Sequence, residues 1–204
     1  MKSIGRARGV LCALSLLAFQ SGCGESVQVG AKSADGAPQR RDTRVVHEDC
    51  PLKSAEKLDA NGDGKPDVWL VRSGGKEVCR AVDLNFDGKV DGYSYFDASG
   101  QLRRRERDYD RDGQIEEIQV FQAGVLVEQQ RATVMAGRLD TWQIYQSGKL
   151  ARTERDSDGD AIVDQWWEFS SDDPKCAVVS SDKNADGKPD LDTVVDLCAD
   201  PNAP

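Results

Sequence analysis

The chain is predicted to be mainly β: an antiparallel meander of hairpins built from about six repeats of some 24 residues, each opened by an Asp-rich loop. Two observations predict it. A nine-residue Asp/Asn/Gly pattern recurs in phase along the chain, and a unit repeated at a fixed period buries its apolar face only against its neighbours. Short aromatic and β-branched runs bounded by glycine turns follow each copy, two per unit, and such runs read as strands.

Taken in order, the first 22 of the 204 residues stand apart. Lys2, Arg6 and Arg8 form a positive start, and Val10 to Phe19 is an apolar run of ten. That run is too short to span a bilayer as a helix and suits the core of a signal peptide. Ser21 and Gly22 then precede Cys23. The arrangement resembles the lipobox of bacterial lipoproteins, in which the cysteine becomes the lipidated first residue, although Gln20 stands where that family usually has leucine. The resemblance implies a signal peptide over 1–22 and a lipid on Cys23. Because Gly24 rather than Asp follows, it also implies an outer-membrane destination. Without 1–22 the chain has 24 basic against 36 acidic residues, a net charge of −12 rather than −9. From Gly24 to about Arg44 there is almost no large apolar residue, so 23–49 reads as a flexible tether and 50–200 as the repeat domain.

The first loop runs Asp59, Asn61, Asp63, Gly64 and Asp67 at positions one, three, five, six and nine. The second repeats it as Asp83, Asn85, Asp87, Gly88 and Asp91, and the third as Asp108, Asp110, Asp112, Gly113 and Glu116. Two periods later come Asp156, Asp158, Asp160, Ala161 and Asp164, then Asp182, Asn184, Asp186, Gly187 and Asp190. The copy missing between them keeps only its glycine, apolar and ninth-position residues, Gly137, Leu139 and Asp140. Ala132, Val134 and Ala136 fill the ligand places. Six units are expected, five with ligands. Two residues past position nine stand Trp69, Tyr93, Ile118, Trp142 and Trp166; three further on stand Phe96, Phe121, Tyr145 and Phe169. Gly100-x-Leu102, Gly124-x-Leu126 and Gly148-x-Leu150 mark the hairpin turns.

The chemistry of these loops is that of a hard cation. Calcium takes six to eight oxygens, and alternate Asp/Asn side chains in a tight loop converge on one point. Glycine at position six permits the sharp turn, and the apolar residue at position eight anchors the loop on the core. One such match also describes an ordinary polar turn; five in phase do not. The five loops carry 17 acidic side chains at positions one, three, five and nine, more than the whole mature charge, so the remainder is positive. Carboxylates so crowded repel without a counterion. Calcium fits better than magnesium, which keeps its waters. The loops resemble EF-hand loops and, more closely, thrombospondin type 3 repeats. The bidentate glutamate of an EF-hand is absent, since Leu70, Ser94, Gln119, Trp167 and Thr193 stand at position twelve. The Gly-x-Leu hairpins are similar to bacterial MORN-type repeats. None of these families implies a catalytic residue here.

Cys50, Cys79, Cys176 and Cys198 remain in the repeat region. An exported chain with an even number of cysteines usually oxidises them. Of three possible pairings, Cys50–Cys79 and Cys176–Cys198 are favoured, because they fall at the two ends of the array. The acidic balance argues against nucleic-acid binding through phosphates. The single histidine, His47, removes two-histidine zinc sites. Every acidic cluster is accounted for by the repeat, so no enzyme is expected. The expected function is a calcium-binding repeat protein with a structural or adhesion role, held at the bacterial cell envelope by a lipid anchor and partnered by an envelope protein or glycan. The alternative is a calcium-dependent ligand- or carbohydrate-binding module. Exposed aligned aromatics on one sheet face would favour the second, and buried ones the first.

Overall fold

The computed structural model describes residues 40–134, 137–173 and 175–199. The expected signal peptide, the Cys23 lipidation site and the tether up to residue 39 lie outside the described residues. Twelve antiparallel strands form one open sheet in sequence order. They are β1 (Glu56–Leu58), β2 (Val68–Ser73), β3 (Lys76–Val82), β4 (Gly92–Phe96), β5 (Leu102–Arg107), β6 (Glu117–Gln122), β7 (Val125–Arg131), β8 (Thr141–Gln146), β9 (Lys149–Arg155), β10 (Gln165–Phe169), β11 (Ala177–Ser181) and β12 (Val195–Asp196). This is the expected meander. The six long loops, five of them Asp-rich, join odd to even strands and so line one edge of the sheet; the short hairpin turns line the other.

Those turns are made by residues that tolerate left-handed backbone. Gly74 and Gly75, Ala123 and Gly124, and Ser147 and Gly148 all have positive φ, the twist that matches two-residue hairpins. One residue after each such hairpin's first few pairs, the register slips: between Val71 and Arg72, Val120 and Phe121, and Ile144 and Tyr145, with the same slip at Tyr95 and Phe96. A bulge at the same place in four hairpins adds twist at regular intervals.

Register places one residue of each strand in a single row across the sheet. Trp69, Ala81, Tyr93, Glu106, Ile118, Gln130, Trp142, Glu154, Trp166 and Ser180 are cross-strand partners in turn. This face carries the core. Ile118, Trp142 and Trp166 form one cluster with the position-eight residues Leu139 and Val163, backed by Ile115 and Val45. Val71, Cys79, Tyr95 and Cys50 form a second. Burying a large side chain stabilises by about 1.5–3 kcal/mol, so the eighth position anchors the third, fourth and fifth loops through Ile115, Leu139 and Val163, whereas Pro66 and Val90 are half-buried and Pro189 is exposed.

Residues 40–49, expected to belong to the flexible tether, are ordered against the sheet instead: residues 40–50 lie across this face as an extended strap. Arg40 and Arg44 make isolated bridges to Ile162 and Arg138, Arg41 N–H donates to Ala161 O at 2.8 Å and Leu139 N–H donates to Thr43 O at 2.8 Å. Arg41 pairs with Glu154, and His47 Nδ1 lies 2.6 Å from Glu106. The fully buried Glu106 also accepts from Glu48 N–H at 3.1 Å and Arg104 Nε at 2.6 Å. A buried carboxylate needs such partners, and the strap supplies them. Disulfides Cys50–Cys79 and Cys176–Cys198 close the two ends, with Cα separations of 6.0 and 4.8 Å. Each is worth about 3–4 kcal/mol by the chain-entropy model for such loop lengths.

Candidate metal centre

Each liganded loop is held by the same lattice of carboxylate-to-backbone hydrogen bonds. The first-position carboxylate accepts from the fourth and sixth N–H: Asp59 from Gly62 and Gly64 at 2.6 and 2.8 Å, Asp108 from Arg111 and Gly113 at 2.6 and 2.8 Å, Asp156 from Gly159 and Ala161 at 2.7 and 2.9 Å. Asp83 does the same with Phe86 and Gly88, and Asp182 takes the N–H of Gly187. The third-position oxygen of Asn61, Asn85, Asp110, Asp158 or Asn184 takes the fifth N–H. Asp63, Asp87, Asp112, Asp160 and Asp186 take the seventh. One oxygen of Asp67, Asp91, Glu116, Asp164 or Asp190 takes the second N–H. In the third and fifth loops five of the eight carboxylate oxygens are therefore spent on the loop's own backbone.

The backbone shape this needs is left-handed at two positions. Position six has positive φ at Gly64, Gly88, Gly113 and Gly187, and also at Ala161 (φ 74°). Position four is left-handed too, at Gly62 and Gly159 but equally at Phe86, Arg111 and Ala185. The sequence pattern reveals the sixth position through its glycines and hides the fourth, where three ordinary side chains accept the strain.

Two loops bring their carboxylates together. Ligand atoms of Asp108, Asp110, Asp112 and Glu116 all lie within 4.8 Å of one another, as do those of Asp156, Asp158 and Asp164. Asp160 stands outside the second group; its carbonyl accepts from Arg40 at 2.7 Å. Among the described residues, the carboxylates of the first, second and last loops form no such cluster. In the second and last the Asn amide closes the loop instead, Asn85 Nδ2 donating to Asp87 at 3.0 Å and Asn184 Nδ2 to Asp190 at 3.0 Å. Crowding shows in the charge balance. Glu116 is pushed above the ordinary carboxyl range by burial and then by Asp110, Asp108 and Asp112. Asp59 is held below it by the N–H groups of Gly64 and Gly62.

The unliganded fourth unit is an internal control. Its Asp140 accepts from Thr133 and Val134 N–H at 2.7 Å each; Asp67 and Asp91 likewise take both the second and third N–H of their loops. Its other oxygen, Oδ1, takes two hydroxyls, Thr133 Oγ1 at 2.6 Å and Thr141 Oγ1 at 2.7 Å. In the fifth unit the equivalent Asp164 Oδ1 is buried and has no hydrogen-bond partner among the described residues. An orphaned buried carboxylate oxygen is costly. In the fourth unit hydroxyls fill the place; in the fifth Oδ1 is left without one, Oδ2 accepts from Ser157 N–H and Oγ, and Asp164 lies in the cluster with Asp156 and Asp158. The donor set is all oxygen, which suits a hard divalent cation rather than a soft one.

No protein-family model matches the chain, and no curated protein does. Among solved structures it is similar to the accessory secretory protein 1, 2 and 3 structure from Streptococcus pneumoniae, at 19% identity over 58% of this chain and 22% of that chain, TM-score 0.38. It is also similar to a GtfA/B complex bound to UDP and GlcNAc, at 17% identity over 74% of this chain and 28% of that chain, TM-score 0.30. The chain spans less than a third of the length of either, and its function is read from its own loops and faces.

Proposed function

We propose that this is an exported calcium-binding β-repeat protein whose metal loops stiffen one edge of a long sheet, with a structural or adhesion role at a bacterial cell envelope and a lipid anchor at Cys23. The observation that carries the reading is the exchange at the ninth position, hydroxyls on Asp140 against an unpartnered oxygen on Asp164. In the third loop Asp108, Asp110, Asp112 and Glu116 would hold the ion; in the fifth, Asp156, Asp158 and Asp164. The second and last loops reach it after the Asn85 and Asn184 amides turn away. Bound calcium supplies charge neutralisation and cross-links the strands that flank each loop. Two disulfides fit an oxidising, extracytoplasmic compartment. The role is one of binding and support rather than catalysis.

Calorimetric titration of the exported chain with calcium, after chelation, tests it. A ligand that binds only the folded state stabilises by about 2.7 kcal/mol per site at a hundredfold excess over Kd, so the thermal midpoint should climb with calcium. Flat isotherms and an unchanged melt in excess chelator would reduce the loops to polar turns.

A further inference from the structure

The second face of the sheet is unlike the first. Its central row, in register, runs Leu70, Arg80, Ser94, Arg105, Gln119, Gln129, Gln143, Thr153, Trp167 and Val179. Nearer the loops the partners are Arg107, Glu117, Arg131, Thr141, Arg155 and Gln165. Nearer the turns lie Phe96, Phe121, Tyr145 and Phe169, one on each even strand from β4 to β10 and each half-buried. No described segment lies over this face as the strap lies over the other.

Its charge runs against that of the chain. In these rows Arg80, Arg105, Arg107, Arg131 and Arg155 stand against Glu117 and, at the β1 edge, Glu56 opposite Leu70, on a protein of net charge −9; Arg80 pairs with Glu77 and Arg131 with Glu117. Among the described residues, Arg105, Arg107 and Arg155 have no carboxylate within 4.0 Å. Arg80 and Arg105 lie over the Phe96 and Phe121 rings, both at 5.8 Å, which holds their planar groups against the sheet. Adjacent strands are ~4.8 Å apart, so Arg107, Arg131 and Arg155 recur every ~10 Å, and the rings do the same. A linear polymer with an anion and an apolar ring face at each such step, on the scale of a disaccharide, meets both rows at once.

At one end the surface deepens. Thr133, Thr141, Thr153, Arg155, Trp167 and Phe169 line an open depression of about 440 Å³. Arg155 Nε is buried there without a hydrogen-bond partner among the described residues. We propose that this face binds an acidic polysaccharide of the uronate type. Trp167 stacks on a pyranose ring, Arg155 takes the carboxylate as a fork, and Arg131 and Arg107 take the carboxylates further along the chain. Aromatic faces suit the C–H side of a sugar and a guanidinium suits a carboxylate. The threonine hydroxyls that already donate to Asp140 still have lone pairs for sugar O–H groups. None of these residues is a loop ligand, so the proposal stands apart from the calcium reading.

The test is calorimetric titration of the exported chain, in calcium, with tetragalacturonate, with a neutral tetrasaccharide, with a single-stranded oligonucleotide and with phosphatidylglycerol vesicles. Tetragalacturonate should bind and the neutral sugar should bind at least tenfold more weakly. Charge-assisted hydrogen bonds contribute about 1.5–3 kcal/mol, so Arg155→Ala should weaken the uronate roughly tenfold or more while leaving the calcium isotherm of the same sample intact. Trp167→Ala should do likewise, and Arg155→Lys should recover only part of the loss. Absent uronate binding, equal binding of the neutral sugar, or stronger binding of the oligonucleotide or vesicles would overturn the proposal. So would a dimer in sedimentation that covers the face with a second copy. A normal calcium isotherm beside absent uronate binding would sink this inference alone.

Discussion

Ala161 is the one non-glycine residue at the sixth position of a liganded loop, and its substitution should improve that loop. It occupies the sixth position with φ 74°, where Gly64, Gly88, Gly113 and Gly187 stand in the other liganded loops. Its N–H donates to Asp156 Oδ2 at 2.9 Å, and that bond is made only with the left-handed backbone. Gly159 does not relieve it, because Gly159 sits at the fourth position, which is left-handed in its own right. An L-residue pays about 1–2 kcal/mol for this conformation, and glycine gives back about 0.4–1 kcal/mol through its freer unfolded chain. The net gain from Ala161→Gly is about 1 kcal/mol. If the fifth loop orders only around its ion, calcium should bind there about fivefold more tightly, since 1.4 kcal/mol is a factor of ten. If the loop is ordered beforehand, the same energy should appear as a rise of about 2–4 °C in the melt of the calcium-free chain. Gly113→Ala is the reciprocal change: its new Cβ would meet nothing within 4 Å, so only the backbone penalty acts, and the third loop should lose what the fifth gains. Calorimetry following the weakest class of sites, with parallel thermal melts, reads both. A neutral or weakening Ala161→Gly together with a harmless Gly113→Ala would refute the reasoning, because strain would then not reside at position six.

Asp140→Asn should destabilise by about 2 kcal/mol at neutral pH, since a buried carboxylate taking four donors becomes an amide that can accept fewer. Burial raises the Asp140 carboxyl, but the hydroxyls of Thr133 and Thr141 and the N–H groups of Val134 and Thr133 hold it below its ordinary 3.8. Its contribution is therefore present above that value and lost as pH falls through the lowered one; wild type and variant melts should converge on acidification, and a constant gap would contradict the assignment. Replacing Cys50 and Cys79 together by serine should cost about 3–4 kcal/mol, read as a drop of roughly 10 °C in the melt, and a melt left unchanged would mean that the strap is held without its covalent pin. Cys23→Ser should move the protein from the membrane to the soluble exported fraction, because a lipoprotein's several chains hold where one would be marginal; a wild type already soluble ends the anchor reading.

What could be read from the sequence was what repeats. The loop register, the eighth-position anchors Leu139 and Val163, the two-strand unit and the disulfide pairs all follow from residues that recur or fall at the array's ends. The left-handed fourth position was hidden, because Phe86, Arg111 and Ala185 carry no glycine signature there. The strap was hidden for a different reason. Residues 40–49 have the composition of a linker, and what fixes them is charge buried on distant strands, which no local pattern announces. The two aromatic series, equivalent in sequence, go to opposite faces: Trp142 and Trp166 are buried under the strap, while Phe121, Tyr145 and Phe169 stay half-open. A three-residue offset along a strand changes face, and only the register decides which face is covered.

The strap also explains why so polar a sheet has one arrangement. Glu154 on β9 takes Arg41, and Glu106 on β5 takes His47. Six residues of extended chain reach ~20 Å at ~3.3 Å each, and four strand spacings of ~4.8 Å come to ~19 Å. From His47 to Cys50, three residues, the reach is ~10 Å, against two strand spacings from β5 to Cys79 on β3. The crossing segment thus measures the sheet almost perpendicular to its strands. A slip by one residue would set Arg41 and His47 out of step with both carboxylates, leaving charge buried and unpaired at several kcal/mol. A buried ion pair is weak evidence for stability but good evidence for register, and here the Arg41–Glu154 pair, the His47–Glu106 contact and a disulfide fix the same register at three points. That arrangement leaves the opposite face uncovered by any described segment, with its arginines turned outward. The acidic loops are gathered along one edge, where a divalent ion would offset their repulsion without touching either face.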